Sequence, residues 1–233
     1  MHKSLKTALV YALTTLMMLT CATIFSESVN VFAEQQASDG RVCIVIDPGH
    51  GGEDGGAVSC SGIPESIYNL DISRRINDLL SLLGYNTRMI RSTDISVYTT
   101  GETLAQKKAS DLKNRVQIAN NTPGAVLLSI HQNYFRDSQY TGAQVFYAKT
   151  EESERLAKQL QREFVSKLNR GSQRQAKKSS GIYVMEHITC PGILIECGFL
   201  SNPQEEAMLR NPVYQKKISA VIAATVSQYL SNT

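Results

Sequence analysis

The stretch that most constrains this chain is Val42 to Gly56, VCIVIDPGHGGEDGG. Val42 to Ile46 is an unbroken run of β-prone residues, which reads as a buried strand, and Asp47-Pro48-Gly49-His50-Gly51-Gly52 stops it in a glycine-rich loop. A histidine, His50, stands at the strand's exit. Open α/β sheets build their sites in the crevice outside the carboxyl ends of the strands. The chemistry therefore depends on what else reaches that edge.

Downstream, strand-like and helical patterns alternate. Glu65 opens a helix to about Leu83, its apolar Ile67, Leu70, Ile76, Leu79, Leu80 and Leu83 spaced mostly three and four apart, and Gly84 ends it. Tyr85 to Ile90 is a second strand; a long polar connection, Arg91 to Ser110, leads to a short helix marked by Leu112, Val116 and Ala119. Ala125 to Ile130 is a third buried strand that delivers His131, and Gly142 to Tyr147 is a fourth. Ser153 to Leu168 is an amphipathic helix, Asn169 to Gly181 a basic, mobile loop, and Ile182 to Met185 a short extended piece. Gly192 to Ile195 is a buried strand ending at Glu196, Pro203 to Leu209 a short helix, and Asn211 caps a last helix reaching about Leu230. The alternation predicts an α/β fold: a single-domain, mostly parallel twisted sheet with helices on both faces.

Lys3 and Lys6 precede an apolar run from Ala8 to Phe25, and Val31-Phe32-Ala33 offers small residues for cleavage. Residues 1–33 read as a signal peptide or, alternatively, a retained membrane anchor, and 34–41 as a linker; Leu19-Thr20-Cys21 is a poor lipoprotein box. Each reading makes the domain at 42–233 extracytoplasmic, with membrane association through the N-terminal segment if that segment stays. A formal net charge of +3 is too mild for a polyanion ligand, so nucleic acid is not expected as a partner. Cys43 and Cys197 fall in strand-like runs and read as small buried hydrophobes, whereas export would permit, without demanding, a bridge between Cys60 and Cys190.

Three buried strands thus end in His50, His131 and Glu196, and Glu65 opens the helix after the first strand. Two histidines and one carboxylate, with a position left for water, make the ligand set of a catalytic zinc site, and the other carboxylate is then free to act as a base. A hydrogen-bonded loop histidine and a helix-opening glutamate favoured by the dipole are the plainer alternatives. Glu196 fits them least, because a carboxylate closing an apolar strand is costly unless paired. His187 with Cys197 could suggest a thiol protease, but the neighbouring Glu196 opposes thiolate formation. Lys177 and Lys178 read as a solvated loop edge, with contact to acidic glycan or stem peptide as the alternative.

DPGHGG with Asp54 and Gly56-Ala57, Glu65 with Asn69-Leu70, Ser129-Ile130-His131 with Asn133, and Glu196 with Gly198-Phe199-Leu200-Ser201-Asn202 form an ordered set. Arg91-Ser92-Thr93-Asp94, Leu112, Arg115 and Ala119-Asn120 add to it. The set resembles the zinc-dependent N-acetylmuramoyl-L-alanine amidases of bacterial cell walls over about Val42 to Leu230. The resemblance implies a Zn2+ cofactor held by His50, Glu65 and His131, and Glu196 as the catalytic carboxylate. It implies hydrolysis of the amide between the lactyl group of N-acetylmuramic acid and L-alanine of the peptidoglycan stem. A zinc peptidase acting within the stem, or a non-catalytic peptidoglycan-binding relative, is the alternative. Asp47 and Asn133 are candidates for supporting the ligands. Gln132 departs from the small or apolar residue common between His and Asn, with little consequence expected. The segment Ile182-Tyr183 to Cys190-Pro191 is similar to that of spore-cortex, germination-related members that clear stem peptides for muramic-δ-lactam formation. Only Ala148 to Glu152 separates the fourth strand from the next helix, leaving no room for the regulatory insertion of cell-division members. A protein activator fits a lone catalytic domain, though no residue names one.

Overall fold

The computed structural model describes residues 42–232; the expected leader at 1–33 and linker at 34–41 lie outside the described residues. The strands are β1 (Cys43–Pro48), β2 (Asn86–Met89), β3 (Ala125–Asn133), β4 (Gln144–Tyr147), β5 (Lys177–Lys178) and β6 (Gly192–Phe199). The helices are α1 (Glu65–Leu82), α2 (Leu104–Asn120), α3 (Glu151–Lys167), α4 (Tyr183–His187), α5 (Pro203–Arg210) and α6 (Pro212–Ser231). One sheet orders the strands β2-β1-β3-β6-β4-β5. The pairs from β2 to β6 are parallel, β4 lies antiparallel to β6, and β5 runs parallel to β4.

Side-chain alternation along the central strands feeds two cores. Ile44, Ile46, Val126, Leu128, Ile130, Ile193 and Ile195 face a layer built from α1, α3, α5 and α6. Val45, Ala125, Leu127 and Leu194 face the thinner layer of α2 and α4. Burial on both faces explains why β1, β3 and β6 read as continuous apolar runs. α6 turns Ile218, Val221, Ile222, Val226 and Tyr229 into the first core, and Asn211 caps it through Val213 N–H at 2.8 Å.

Several expectations need correction. α2 begins at Leu104, inside the segment read as polar connection, because Thr103 and Gln106 form a capping box. Residues 183–187 are a helical turn rather than an extended piece. The basic loop contributes β5. On α1 the buried face is Tyr68, Asn69, Ile72, Ile76 and Leu80, while Ile67 and Leu83 of the expected stripe are exposed. β6 continues three residues past Glu196, so that residue stands within the strand. Among the described residues all four cysteines are free, and no helix is long and apolar enough to cross a membrane. β4 ends at Tyr147 and α3 starts at Glu151, which leaves no insertion between them.

Candidate metal centre

The parallel register sets the site. Asp47 lies beside Ser129, and His131 beside Glu196, so the exits of β1, β3 and β6 form one rim. By alternation His131 and Glu196 share the α2 face, and the ladder is interrupted between His131 and Asn133.

Beyond β1 the backbone turns at His50, the lone non-glycine at positive φ (59°) among the described residues. That conformation costs on the order of 1–3 kcal/mol and persists where its surroundings enforce it. Two buried arginines do so. Arg91 donates to the carbonyls of Pro48, Gly49 and Ser66, each at 2.9 Å. Arg115, from α2, donates to Pro48 O at 2.9 Å and His50 O at 2.7 Å, and pairs with Asp47 and Asp111. Glycine is needed where the loop passes the rim: a Cβ on Gly49 would stand 2.2 Å from the His131 ring. On Gly56, at φ +72°, a Cβ would stand 2.6 Å from Glu65 Oε2.

His50, Glu65 and His131 converge, with one donor atom from each lying within 4.8 Å of the others. His50 Nε2 is 3.3 Å from Glu65 Oε2, His131 Nδ1 is 2.9 Å from Glu65 Oε1, and the two rings meet edge to face at 5.0 Å. Glu65 is fixed before any ligand arrives. Its Oε1 accepts from Gln132 N–H and Asn69 Nδ2, both at 3.1 Å, and Oε2 from Ala57 N–H at 3.1 Å. Burial opposes its charge, but the hydrogen bonds with His131 and His50 prevail and hold its carboxyl well below the usual range. His50 is pulled the other way. Burial lowers its pKa, yet hydrogen bonds to Asp54 and Glu65 raise it to about 9.

Glu196 is part-buried, and its Oε2 is sealed from solvent with no hydrogen-bond partner. Burial raises its pKa to about 7. An orphaned carboxylate oxygen next to two histidines and a carboxylate is a donor set that suits a divalent ion and its water.

The outer contacts differ from expectation. Asp47 is engaged by Ser129 and Arg115 rather than by a site histidine, and Asn133 contributes its carbonyl, to Leu200 N–H at 2.8 Å. The carboxylate that holds His50 is Asp54, at 2.9 Å from Nδ1, and Lys108 of α2 reaches Asp54 at 3.1 Å. Gln132 is not idle either: its Nε2 donates to Asn69 Oδ1 at 3.2 Å, which aims the Asn69 amide at Glu65. Cys197, deep in the core, has its thiol pushed up by burial, and it donates weakly to Ile195 O. That environment is unsuited to a nucleophile. His187 binds Tyr183 O within α4 and is not among the residues that converge as a metal-binding group. A cavity of about 490 Å³ between α3 and residues 172–176 shares no residue with the rim.

Known proteins are similar to this chain in sequence and fold. The N-acetylmuramoyl-L-alanine amidase family matches residues 44–228. The germination-specific N-acetylmuramoyl-L-alanine amidase of Bacillus subtilis is 38% identical over 190 residues, 81% of this chain and 79% of that one. The CwlD amidase of Clostridioides difficile, solved in complex with the GerS lipoprotein, superposes with a TM-score of 0.79 at 36% identity, covering 83% of this chain and all of that one. A second N-acetylmuramoyl-L-alanine amidase, from Clostridium difficile 630, gives a TM-score of 0.72 at 31% identity over 83% of this chain and 98% of its own. The chain belongs to the N-acetylmuramoyl-L-alanine amidase family, and it is an enzyme of that activity.

Proposed function

We propose that the chain is a zinc-dependent amidase of the spore-cortex type, in which His50, Glu65 and His131 hold the ion and Glu196 carries the proton. The observation behind this reading is the sealed, unpartnered Glu196 Oε2 beside a converged His-Glu-His set. Zinc held by such residues supplies Lewis acidity, bringing water's pKa to roughly 7 and polarising a carbonyl. Glu65 lends negative charge and is kept in place by Asn69 and Gln132. Glu196 accepts the proton of the attacking water and returns it to the departing L-alanine amine. Amide cleavage requires both transfers, and in the metal-free protein burial raises the Glu196 pKa, which favours its taking up a proton.

The domain assignment goes with this reading: residues 42–233 form the catalytic domain, preceded by a signal or anchor that delivers it outside the membrane. Similarity to the germination-specific enzyme supports a role in cortex remodelling, leading to muramic-δ-lactam. Similarity to an amidase solved with a lipoprotein supports a protein partner for this chain as well.

Digestion of purified cortex tests the reading. Free amino-terminal L-alanine on released stem peptides is expected with zinc and is abolished by a chelator. New termini elsewhere in the stem would make the enzyme a peptidase instead. Glu196→Gln should bind zinc like the parent while turnover falls by about 10²–10⁴. His131→Ala should lose both. A Glu196→Gln enzyme of near-parental rate would remove Glu196 from the mechanism.

A further inference from the structure

The twelve large apolar side chains exposed among the described residues include three aromatic ones, Tyr134, Phe135 and Tyr140. All three fall in the connection between β3 and β4, immediately past the rim. Tyr134 is three residues beyond His131, so their backbones are separated by no more than about 11 Å. Phe135 and Tyr140 belong to one connected array of rings, and Tyr134 is the exposed neighbour of Phe135 in the chain. Phe135 meets Tyr140 edge to face at 4.9 Å, Tyr140 lies over Phe199 at 6.2 Å, and the Arg174 guanidinium sits 5.1 Å from Phe199 on β6.

The connection that carries them is tied down along its length. Phe135 N–H donates to Ser201 Oγ at 3.2 Å, and Asn202 Nδ2 donates to Ser138 O at 2.6 Å. Arg174 Nε donates to Thr141 O at 2.9 Å. The buried Glu205 carboxylate accepts from Gly142 N–H and from Phe199 N–H, both at 2.8 Å, joining the connection to the end of β6. Exposed aromatic faces on a fixed backbone next to a catalytic rim mark a place where a ligand lies.

We propose that Tyr134, Phe135 and Tyr140 form a sugar-binding shelf that takes the glycan strand of the substrate beside the muramic residue being cut. The proposal rests on the amidase reading, because the scissile amide joins a sugar's lactyl arm to a peptide and the sugar chain must leave the site along the rim. A pyranose ring offers a face of C–H groups with its hydroxyls at the edge. The electron-rich face of an aromatic ring attracts those C–H groups, and the tyrosine hydroxyls can meet the sugar's edge. Three side chains are small beside the roughly 800 Å² that each partner of a stable protein interface contributes. They match one or two sugar rings.

The test uses the full chain loaded with zinc, peptide-free glycan strands as the binding probe, and two substrates: glycan strands bearing stem peptides, and a single muramoyl-peptide without neighbouring sugars. Phe135→Ala and Tyr134→Ala should each weaken binding of the peptide-free strands about tenfold and raise KM on the long substrate by the same factor. Their kcat on that substrate, their kcat/KM on the single muramoyl-peptide and their zinc affinity should stay within about twofold. Phe135→Tyr should behave as the parent and Phe135→Leu as the alanine variant, which isolates the ring face from loss of apolar bulk. The shelf is refuted if the parent fails to bind peptide-free strands. Equal losses on both substrates refute it as well, indicating a structural role. Unchanged behaviour on both refutes it too and gives the face to a protein or lipid partner. A parent that binds the strands but cleaves neither substrate, with the binding losses intact, would refute the catalytic roles and keep the shelf.

Discussion

At the scale of single residues, the metal must compete with a proton at His50. Metal binding needs neutral imidazole, and Asp54 and Glu65 hold the His50 proton to about pH 9 against an ordinary 6.5. In the metal-free protein this raised value contributes stability that is complete below pH 6.5 and is lost as pH climbs through about 9. Glu65 and Asp54 are depressed by their histidine contacts, so the pairing with His50 is lost in acid, where the carboxylates protonate, and again as His50 loses its proton through about pH 9. Zinc affinity should therefore rise with pH, and the melting gap between zinc-loaded and chelated protein should widen from pH 6.5 to 9. A gap that is flat or narrows over that window contradicts the assignment of His50 as a ligand. Gln132 gives a second prediction. Gln132→Leu removes the bond to Asn69 Oδ1 and leaves only the Nδ2 contacts with Gly49 O and Glu65 to hold that amide, so it is less firmly fixed against Glu65. Zinc affinity should fall about tenfold, within the 10–100-fold span common for outer contacts, and calorimetric titration would read it; an unchanged affinity would confine Gln132 to packing. The four central residues carry a sequence signal because His50, His131 and Glu196 follow apolar strand runs and Glu65 opens a helix, although His131 and Glu196 stand inside their strands. The residues behind them could not. Asp54 and Asp47 stand equally near the loop, and only the register, which seats Asp47 beside Ser129, shows which of them faces His50.

At the scale of elements, α2 is the one whose reading fell furthest short and whose role is broadest. Its first two turns, LAQKKA, carry no apolar stripe, so periodicity starts the helix too late. The signal that could have corrected this is Thr103-x-x-Gln106, whose side chains satisfy each other's backbone N–H groups. Those turns bring Lys107 to Glu53 at 2.7 Å and Lys108 to Asp54, and two turns later Arg115 grips the His50 loop. Arg115 is the critical member. Its removal leaves Asp47 and Asp111 as buried carboxylates without their cation, and breaking a buried ion pair from one side costs about 3–5 kcal/mol. Arg115→Ala should lose that much in denaturant unfolding. Arg115→Lys should recover only part, since a single ammonium cannot reach Asp47, Asp111 and two loop carbonyls together. A loss under about 1 kcal/mol in Arg115→Ala would mean the network adds little to stability. α4 leaves no helical signal for a simpler reason: five residues are too short for a helical period, and Ile182-Tyr183-Val184 is β-prone.

At the scale of the whole molecule, the alternation of strands and helices correctly predicts one mostly parallel sheet covered on both faces, because parallel strands need helical crossovers. Strand direction beyond β6 has no such local signature. Whether β4 runs with or against its neighbour depends on pairing with a strand some fifty residues away (Gln144↔Glu196). The continuity of that sheet has a measurable consequence. Cys43 on β1 and Cys197 on β6 are both buried in strands that flank β3, and Cys60 and Cys190 are unbridged. Cys190 packs into the α2 and α4 core, whereas Cys60 is exposed beside Leu200 of the other core. With no disulfide among the described residues, a reductant should leave the melting temperature unchanged. In the native protein Cys60 should react first with a thiol reagent and Cys190 more slowly. Cys43 and Cys197 should become reactive together, at the denaturant concentration where helical signal is lost, because a sheet hydrogen-bonded from β2 to β5 with a core on each face opens as one cooperative unit. Labelling of Cys197 well before Cys43 would show that β6 and the strands beyond it unfold as a separate unit, and the fold would then have to be treated as two coupled halves.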